Sequence, residues 1–197
     1  MAVLIGSNKI KTAVFISGNG SNMQKIIQAY KNGEIKSKVV TVVSNNPNTK
    51  GIKKAQSCGI ITKVINHREF NNTIQFEKTL SEYLFKKSIN LICLAGFMRV
   101  LGKNFITKWD RQIINIHPSL LPKYKGLNTF SRILNNGEKT TGCSVHYVNK
   151  RLDSGNIIVQ KKFFIEKFDN EKILKQKTQK LEYRAFPEAI IQIFRGI

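Results

Sequence analysis

Short apolar runs alternate with amphipathic stretches along this 197-residue chain. KTAVFIS (11–17), KVVTVVS (38–44), IITKVI (60–65), NLICLA (90–95) and IINI (113–116) are compact and rich in β-branched residues, as strands buried on both faces should be. Between the first two, MQKIIQAYK places Met23, Ile26, Ile27 and Tyr30 on one helical face. Residues 49–58 and about 72–87 also read as helices, with Gly59 ending the former and NNPN closing the second strand. Strands alternating with helices at this spacing predict βαβ units and a mainly parallel sheet. The pattern changes after Pro118. CSVHYV (143–148) and IIVQKKFFI (157–165) read as antiparallel neighbours joined across RLDSG, and an amphipathic helix over about 170–195 closes the chain. With no linker, repeat or low-complexity segment, the reading is one α/β domain: a Rossmann-like sheet flanked by helices, with antiparallel strands at its C-terminal end.

Composition narrows the class. Hydrophobic residues make up 41% of the chain, which is globular, and the longest apolar run, LICLAGFM (91–98), is too short to span a bilayer. The opening MAVLIGSNK has too short an apolar stretch for a secretory signal and no basic segment before it, so a cytoplasmic protein is expected. Cys58, Cys93 and Cys143 form no CxxC pair and are odd in number, which favours reduced, mostly buried thiols. Cys143 and His146 stand three apart in a strand and therefore face opposite ways, so no metal site is expected there. The net charge of +21 attracts anions, but its lysines are scattered, the densest cluster being KILKQKTQK (172–180). Such a balance permits nucleic-acid binding without specifying it, and suits small anionic substrates or a plain lysine-rich surface equally.

Two stretches carry candidate chemistry. GNGSN follows a strand and opens a helix, a natural anion site: Gly18 and Gly20 allow the tight turn, while Ser21 and Asn22 can cap the helix or donate to an oxygen. The same residues also suit an ordinary β–α turn. A dinucleotide fingerprint fits poorly, because Met23 replaces the third glycine and the second strand ends Ser44-Asn45-Asn46 without an acid. A single phosphate group is the expected anion. In IINIHPSLLPKYKGLNT (113–129), Asn115 and His117 interrupt a buried strand, and Pro118 and Pro122 stop it. Two residues apart, both side chains point to one face at the strand's carboxyl end, where open α/β sheets bind ligands. An amide and an imidazole together suit a developing oxyanion, whereas a histidine that caps loop carbonyls would be purely structural. Such a site needs a carboxylate to hold the imidazole charged. Of Asp110, Asp153 and Asp169, Asp153 in RLDSG is the candidate, with an Asx turn as its alternative role.

Taken together, FISGNGSNMQ, LAGFMRVL, INIHPSLLPKYKGL, GCSVHYV and LDSG cover nearly the whole chain in order, and they resemble the folate-dependent glycinamide ribonucleotide formyltransferases of purine synthesis. INIHPSLLP with a later LDSG marks the wider formyl-folate transferases; SGNGSNMQ and AGFMRVL narrow it to the glycinamide ribonucleotide branch. The resemblance implies transfer of the formyl group of 10-formyltetrahydrofolate, as cosubstrate, to the amine of 5′-phosphoribosylglycinamide, with no metal. It implies catalysis by Asn115, His117 and Asp153, and ribonucleotide binding by Gly20, Ser21, Asn22 and by Glu182 of LEYRAFP. Folate contacts would come from Met98, Arg99, Val100 and Leu101, from Asn115, and from Asn149, Lys150, Arg151, Leu152 and Asp153. Residues 1–112 would form the nucleotide/phosphate-binding half and 113–197 the folate-binding and catalytic half. The implied partners are these two small molecules, with no membrane or specific nucleic acid, and with a monomer or homodimer as the assembly. Two departures from the family pattern stand out. GLNTF replaces GLHTH, putting Asn128 and Phe130 at histidine positions, the first in the hydrogen-bond network around the trio. Thr73 stands where the family has a folate-side arginine. Methionyl-tRNA formyltransferase and formyl-folate hydrolase share the chemistry but carry additional domains, so the length of this chain favours the ribonucleotide branch.

Overall fold

The computed structural model describes residues 10–195, so the opening segment read for a secretory signal lies outside the described residues. The elements run β1 (Lys11–Ile16), α1 (Ser21–Lys31), β2 (Lys38–Ser44), α2 (Lys50–Ser57), β3 (Ile61–Val64) and, after a 3-10 turn at His67–Glu69, α3 (Thr73–Lys86). They continue with β4 (Leu91–Leu94), α4 (Lys103–Lys108), β5 (Ile113–His117), α5 (Thr129–Asn135), β6 (Thr140–Tyr147), β7 (Ile157–Phe164) and α6 (Glu171–Arg195).

The strands form one seven-stranded sheet in the order β3-β2-β1-β4-β5-β6-β7. β1 to β5 are parallel, and β6 and β7 pair antiparallel beyond them. The expected parallel sheet with an antiparallel far end is therefore what the chain builds. Two short helices, α4 and α5, were not anticipated, and β6 starts at Thr140, earlier than the apolar run suggests. Six- and seven-residue helices hold less than two turns, too little for a periodicity to show. The extra residues of β6, Thr140-Thr141-Gly142, look like turn chemistry until β7 pairs with them.

Period-two alternation sends neighbouring strand residues to opposite helical layers. Ile16 and Ile114 pack with Met23, Ile26, Ile27, Ile52, Phe186 and Ile190 of α1, α2 and α6. Phe15 and Ile113 pack with Phe76, Leu80 and Leu84 of α3 and with Phe105 and Trp109 of and beside α4. The three cysteines remain separate thiols; burial pushes Cys93 well above the usual range and Cys143 up to about 12. Among the described residues no helix is long and apolar enough to cross a membrane. The chain runs from β1 to β3 on one side and then returns to β4 on the other. The carboxyl ends of β1 and β4 thus flank the topological switch point, the expected ligand crevice of such a sheet.

Candidate active site

β5 delivers Asn115 and His117 to one face at its carboxyl end, and its register with β6 sets His146 opposite Asn115 and Ser144 opposite His117. Asp153, in the left-handed conformation (φ 44°) in the turn between β6 and β7, reaches back over them. Its Oδ2 lies 3.3 Å from His117 Nδ1 and its Oδ1 3.6 Å from His146 Nε2. Asn115 Nδ2 is 3.3 Å from His146 Nε2. All but Asn115 are nearly buried. A single strap, residues 118–128, serves both ends of the His117–Asp153 pair: the Tyr124 carbonyl accepts from His117 Nε2 at 2.8 Å, and the Gly126 N–H donates to Asp153 Oδ2 at 2.9 Å. The strap is itself tied down, with the Leu121 N–H donating to Ser144 Oγ (3.0 Å) and Arg132 Nη1 donating to the Lys125 carbonyl (2.6 Å).

His117 therefore sits between two acceptors, a geometry that fits an imidazolium. Burial nevertheless holds its pKa below the ordinary 6.5, outweighing the Tyr124 carbonyl and Asp153, which both pull it upward; His146 and Arg132 push it down further. Asp153 thus favours the charged imidazole, as expected of it, while the cost of burying the cation opposes this and is the larger influence. For Asp153 the balance runs the other way. Burial alone would raise its pKa, but the His146 hydrogen bond, the Gly126 N–H and the charge of His117 together hold it below 3.8. The carboxylate stays ionised.

The second group of residues gathers at the end of β1. Gly20 takes φ 68° as the first residue before α1, and a Cβ there would stand 2.9 Å from Met23 Cε and 3.2 Å from Gly51 Cα, so any other residue would be both strained and crowded. The expected capping by Ser21 and Asn22 is not what their side chains do. Ser21 Oγ accepts from Gln179 Nε2 (3.0 Å), and Asn22 Nδ2 donates to Glu182 Oε2 (2.8 Å), joining the loop to α6. Asn22 Oδ1 is buried without a partner among the described residues, an acceptor available to a ligand donor. Burial raises the Glu182 pKa above 4.5, with Asn22 and Lys175 opposing.

Between the two groups lies the segment after β4. Ser17, just beyond β1, donates its N–H to the Gly96 carbonyl (3.0 Å) and accepts the Met98 N–H at Oγ (2.8 Å). Met98 and Val100 are 71% and 75% exposed, Arg99 is half-buried, and Leu101 turns into the core. Across the site, Asn149, Lys150, Arg151 and Leu152 are exposed, and Asn149 Oδ1 accepts the Arg151 N–H at 2.9 Å. Of the departures, Asn128 is an exposed left-handed residue before α5 (φ 55°) with no side-chain cap among the described residues, Phe130 is half-buried, and Thr73 is the exposed first residue of α3. His146, Gln179 and Ser17 belong to these groups but escaped the sequence reading. The alternation of GCSVHYV put His146 and Ser144 on one face; that this face meets Asn115 depends on the β5–β6 register.

A doubly wound sheet with a glycine-rich turn at its switch point and an Asn–His–Asp constellation two strands away is the build of a small-molecule enzyme. The chain belongs to the formyl transferase family, whose sequence profile matches residues 10–190. It is 38% identical over 180 residues to phosphoribosylglycinamide formyltransferase of Haemophilus influenzae, covering 91% of this chain and 85% of that protein. It is 40% identical over 192 residues to the trifunctional purine biosynthetic protein adenosine-3 of Gallus gallus; that match takes in 98% of this chain but only 19% of the relative's length. The solved phosphoribosylglycinamide formyltransferase of Coxiella burnetii superimposes with a TM-score of 0.88 at 43% identity, covering 93% of this chain and 86% of that one.

Proposed function

We propose that this protein transfers the formyl group of 10-formyltetrahydrofolate to the amine of 5′-phosphoribosylglycinamide in purine biosynthesis. One observation carries the reading: an anion-ready glycine turn and an Asn–His–Asp cluster occupy the carboxyl ends of β1 and β5, with only β4 between them. Two strand spacings are about 10 Å, a gap that a phosphorylated ribose with its glycinamide arm bridges. Gly20, Ser21 and Asn22 take the phosphate, Glu182 the ribose–glycinamide portion, and the rims at 98–101 and 149–153 enclose the pterin.

The neutral amine attacks the formyl carbon and charge collects on the formyl oxygen, next to the Asn115 amide. Burial lowers the His117 pKa, while the acceptors at both ring nitrogens suit its protonated form. The growing oxyanion supplies the negative partner that makes its imidazolium favourable, so protonation is coupled to the charge it stabilises. Its Nε2–H then exchanges the Tyr124 carbonyl for the oxyanion. The attacking amine loses one proton, relayed through water and the Asp153–His117 pair to N10 as the C–N10 bond breaks, so the pair ends in the state in which it began. The carbon–nitrogen bond lost is replaced by the one gained, and no metal or covalent enzyme intermediate enters.

The test is a three-way competition. Purified protein with 10-formyltetrahydrofolate is offered the ribonucleotide, initiator Met-tRNA, or water alone. Formylation of the ribonucleotide is expected; formylation of tRNA without it overturns the assignment.

A further inference from the structure

Glu77 is a buried carboxylate that the reaction above does not use. It sits on α3, only 7% exposed, and Oε1 accepts the backbone N–H of Gly102 at 2.5 Å. Burial pushes its pKa above the usual carboxylate value, and the Gly102 N–H and the charge of Arg99 oppose this. Gly102 closes the segment that runs from β4 to α4, whose other end Ser17 pins at Gly96 and Met98. Between these anchors Phe97 and Leu101 turn inward, while Met98 and Val100 stand out at 71% and 75% exposure. Two large apolar side chains, two residues apart, are thus held out of the core in the segment assigned to folate.

The glycine adds an independent clue. Gly102 has φ −72°, which any residue adopts, so backbone freedom does not explain it. A Cβ there would stand 2.8 Å from Glu77 Oε2 and 3.3 Å from Oε1, so the missing side chain makes room for the carboxylate. A glutamine could accept the same N–H at a lower burial cost. An acid at this place also carries a charge that Arg99, inside the same segment, favours.

We propose that Glu77 is a positioning residue for folate: it fixes the Gly102 end of the segment so that Met98 to Val100 stand as one wall of the pterin pocket, and Gly102 is glycine to admit it. This rests on the assignment of residues 98–101 to folate. Glu77→Ala is expected to raise the KM for 10-formyltetrahydrofolate about tenfold, the worth of one charge-assisted hydrogen bond, leaving kcat and the ribonucleotide KM near wild type. Gly102→Ala should do the same by displacing the carboxylate. In the double variant Glu77→Asp/Gly102→Ala, the shorter acid makes room for the new methyl, so the folate KM should fall below that of Gly102→Ala alone, a non-additivity expected only of groups in contact. Hydrogen exchange at the Gly102 amide separates the parts, and it should accelerate in Glu77→Ala. Unchanged exchange overturns the contact. Faster exchange with an unmoved folate KM overturns the positioning role, and equal rises in both substrates' KM reduce Glu77 to a folding residue. If the wild-type competition fails while Gly102 exchange responds as expected, it is the folate assignment that falls.

Discussion

Asp153 and Glu182 approach the carboxyl edge of the sheet from its two faces, and their surroundings drive them in opposite directions. Asp153 is ringed by His117, His146 and the Gly126 N–H, which overcome burial and hold it ionised below the ordinary value. Glu182 has Asn22 as its hydrogen-bond donor and Lys175 as a compensating charge, and burial wins, raising its pKa. A carboxylate that must keep its charge beside a histidine is supplied with donors in the fold. Glu182, which under the proposed function meets a ligand's hydroxyl or amine, is left short of them.

The Asp153 side of this contrast should be the more costly to break. His117→Ala is expected to slow turnover by about 10²–10⁴-fold as a lost proton donor, and Asn115→Ala by about 10²–10³-fold as a lost oxyanion donor. Near-normal turnover in either folded variant removes that residue from the chemistry. Asp153→Asn keeps a residue tolerant of φ 44° but removes the charge, and should cost at least about 10²-fold. Because Asp153 pulls the His117 pKa upward, its loss should lower that pKa further, readable by NMR titration in the same variant. An unmoved titration and unmoved turnover would leave Asp153 a turn residue.

On the other side the effects are expected in KM. Gly20→Val forces a β-branched residue to φ 68° and pushes its Cβ against Met23 and Gly51, so the ribonucleotide KM should rise strongly while the folate KM changes less. Equal weakening of both would indicate misfolding. Glu182→Gln should raise the ribonucleotide KM about tenfold, the scale of a hydrogen bond to a charged group. In the wild type that KM should fall as pH rises through the raised Glu182 pKa, and the Gln variant should lose this dependence; a persistent dependence would assign it elsewhere.

The smallest expected effect is on stability, where the two acids have opposite signs. The lowered folded pKa of Asp153 contributes stability that is present above its ordinary 3.8 and lost as pH falls through the folded value. The raised pKa of Glu182 favours the native state below its ordinary 4.5, and this contribution disappears as pH rises through the folded value. At neutral pH Glu182→Gln should therefore melt higher than the wild type, by about 2–4 °C if the change is near 1 kcal/mol, and the gain should vanish below pH 4.5. A gain of equal size at both pH values would mean packing rather than charge.

The frame was legible because its strands are buried on both faces: KTAVFI and KVVTVVS can hardly be anything but interior strands of a parallel sheet. Asn115 and His117 announced themselves as polar interruptions in such a run. His146 did not, since a single histidine in GCSVHYV has meaning only once the register with β5 is known. Gln179 and Glu77 were hidden for a related reason. Each is a polar residue in a helix, ordinary in sequence, and becomes informative only through a contact with Ser21 or Gly102 that lies far along the chain. The pKa of His117 could not be read either, because the sequence shows its partner but not how deeply the pair is buried.

An open sheet leaves two seams, and the order that places β1 and β4 at its centre puts β3 and β7 at its margins. Among the described residues each margin offers a row of unpaired backbone groups to any extended chain that drifts past, a route by which sheet proteins clump. β3 is only four residues long and turns Lys63 to solvent; β7 is twice that length and carries exposed Lys162, with Lys161 beside it paired to Glu188. A second molecule presenting its own margin would have to bring lysine against lysine, each belonging to a body of charge +21. The surplus of positive charge acts as insulation along both seams.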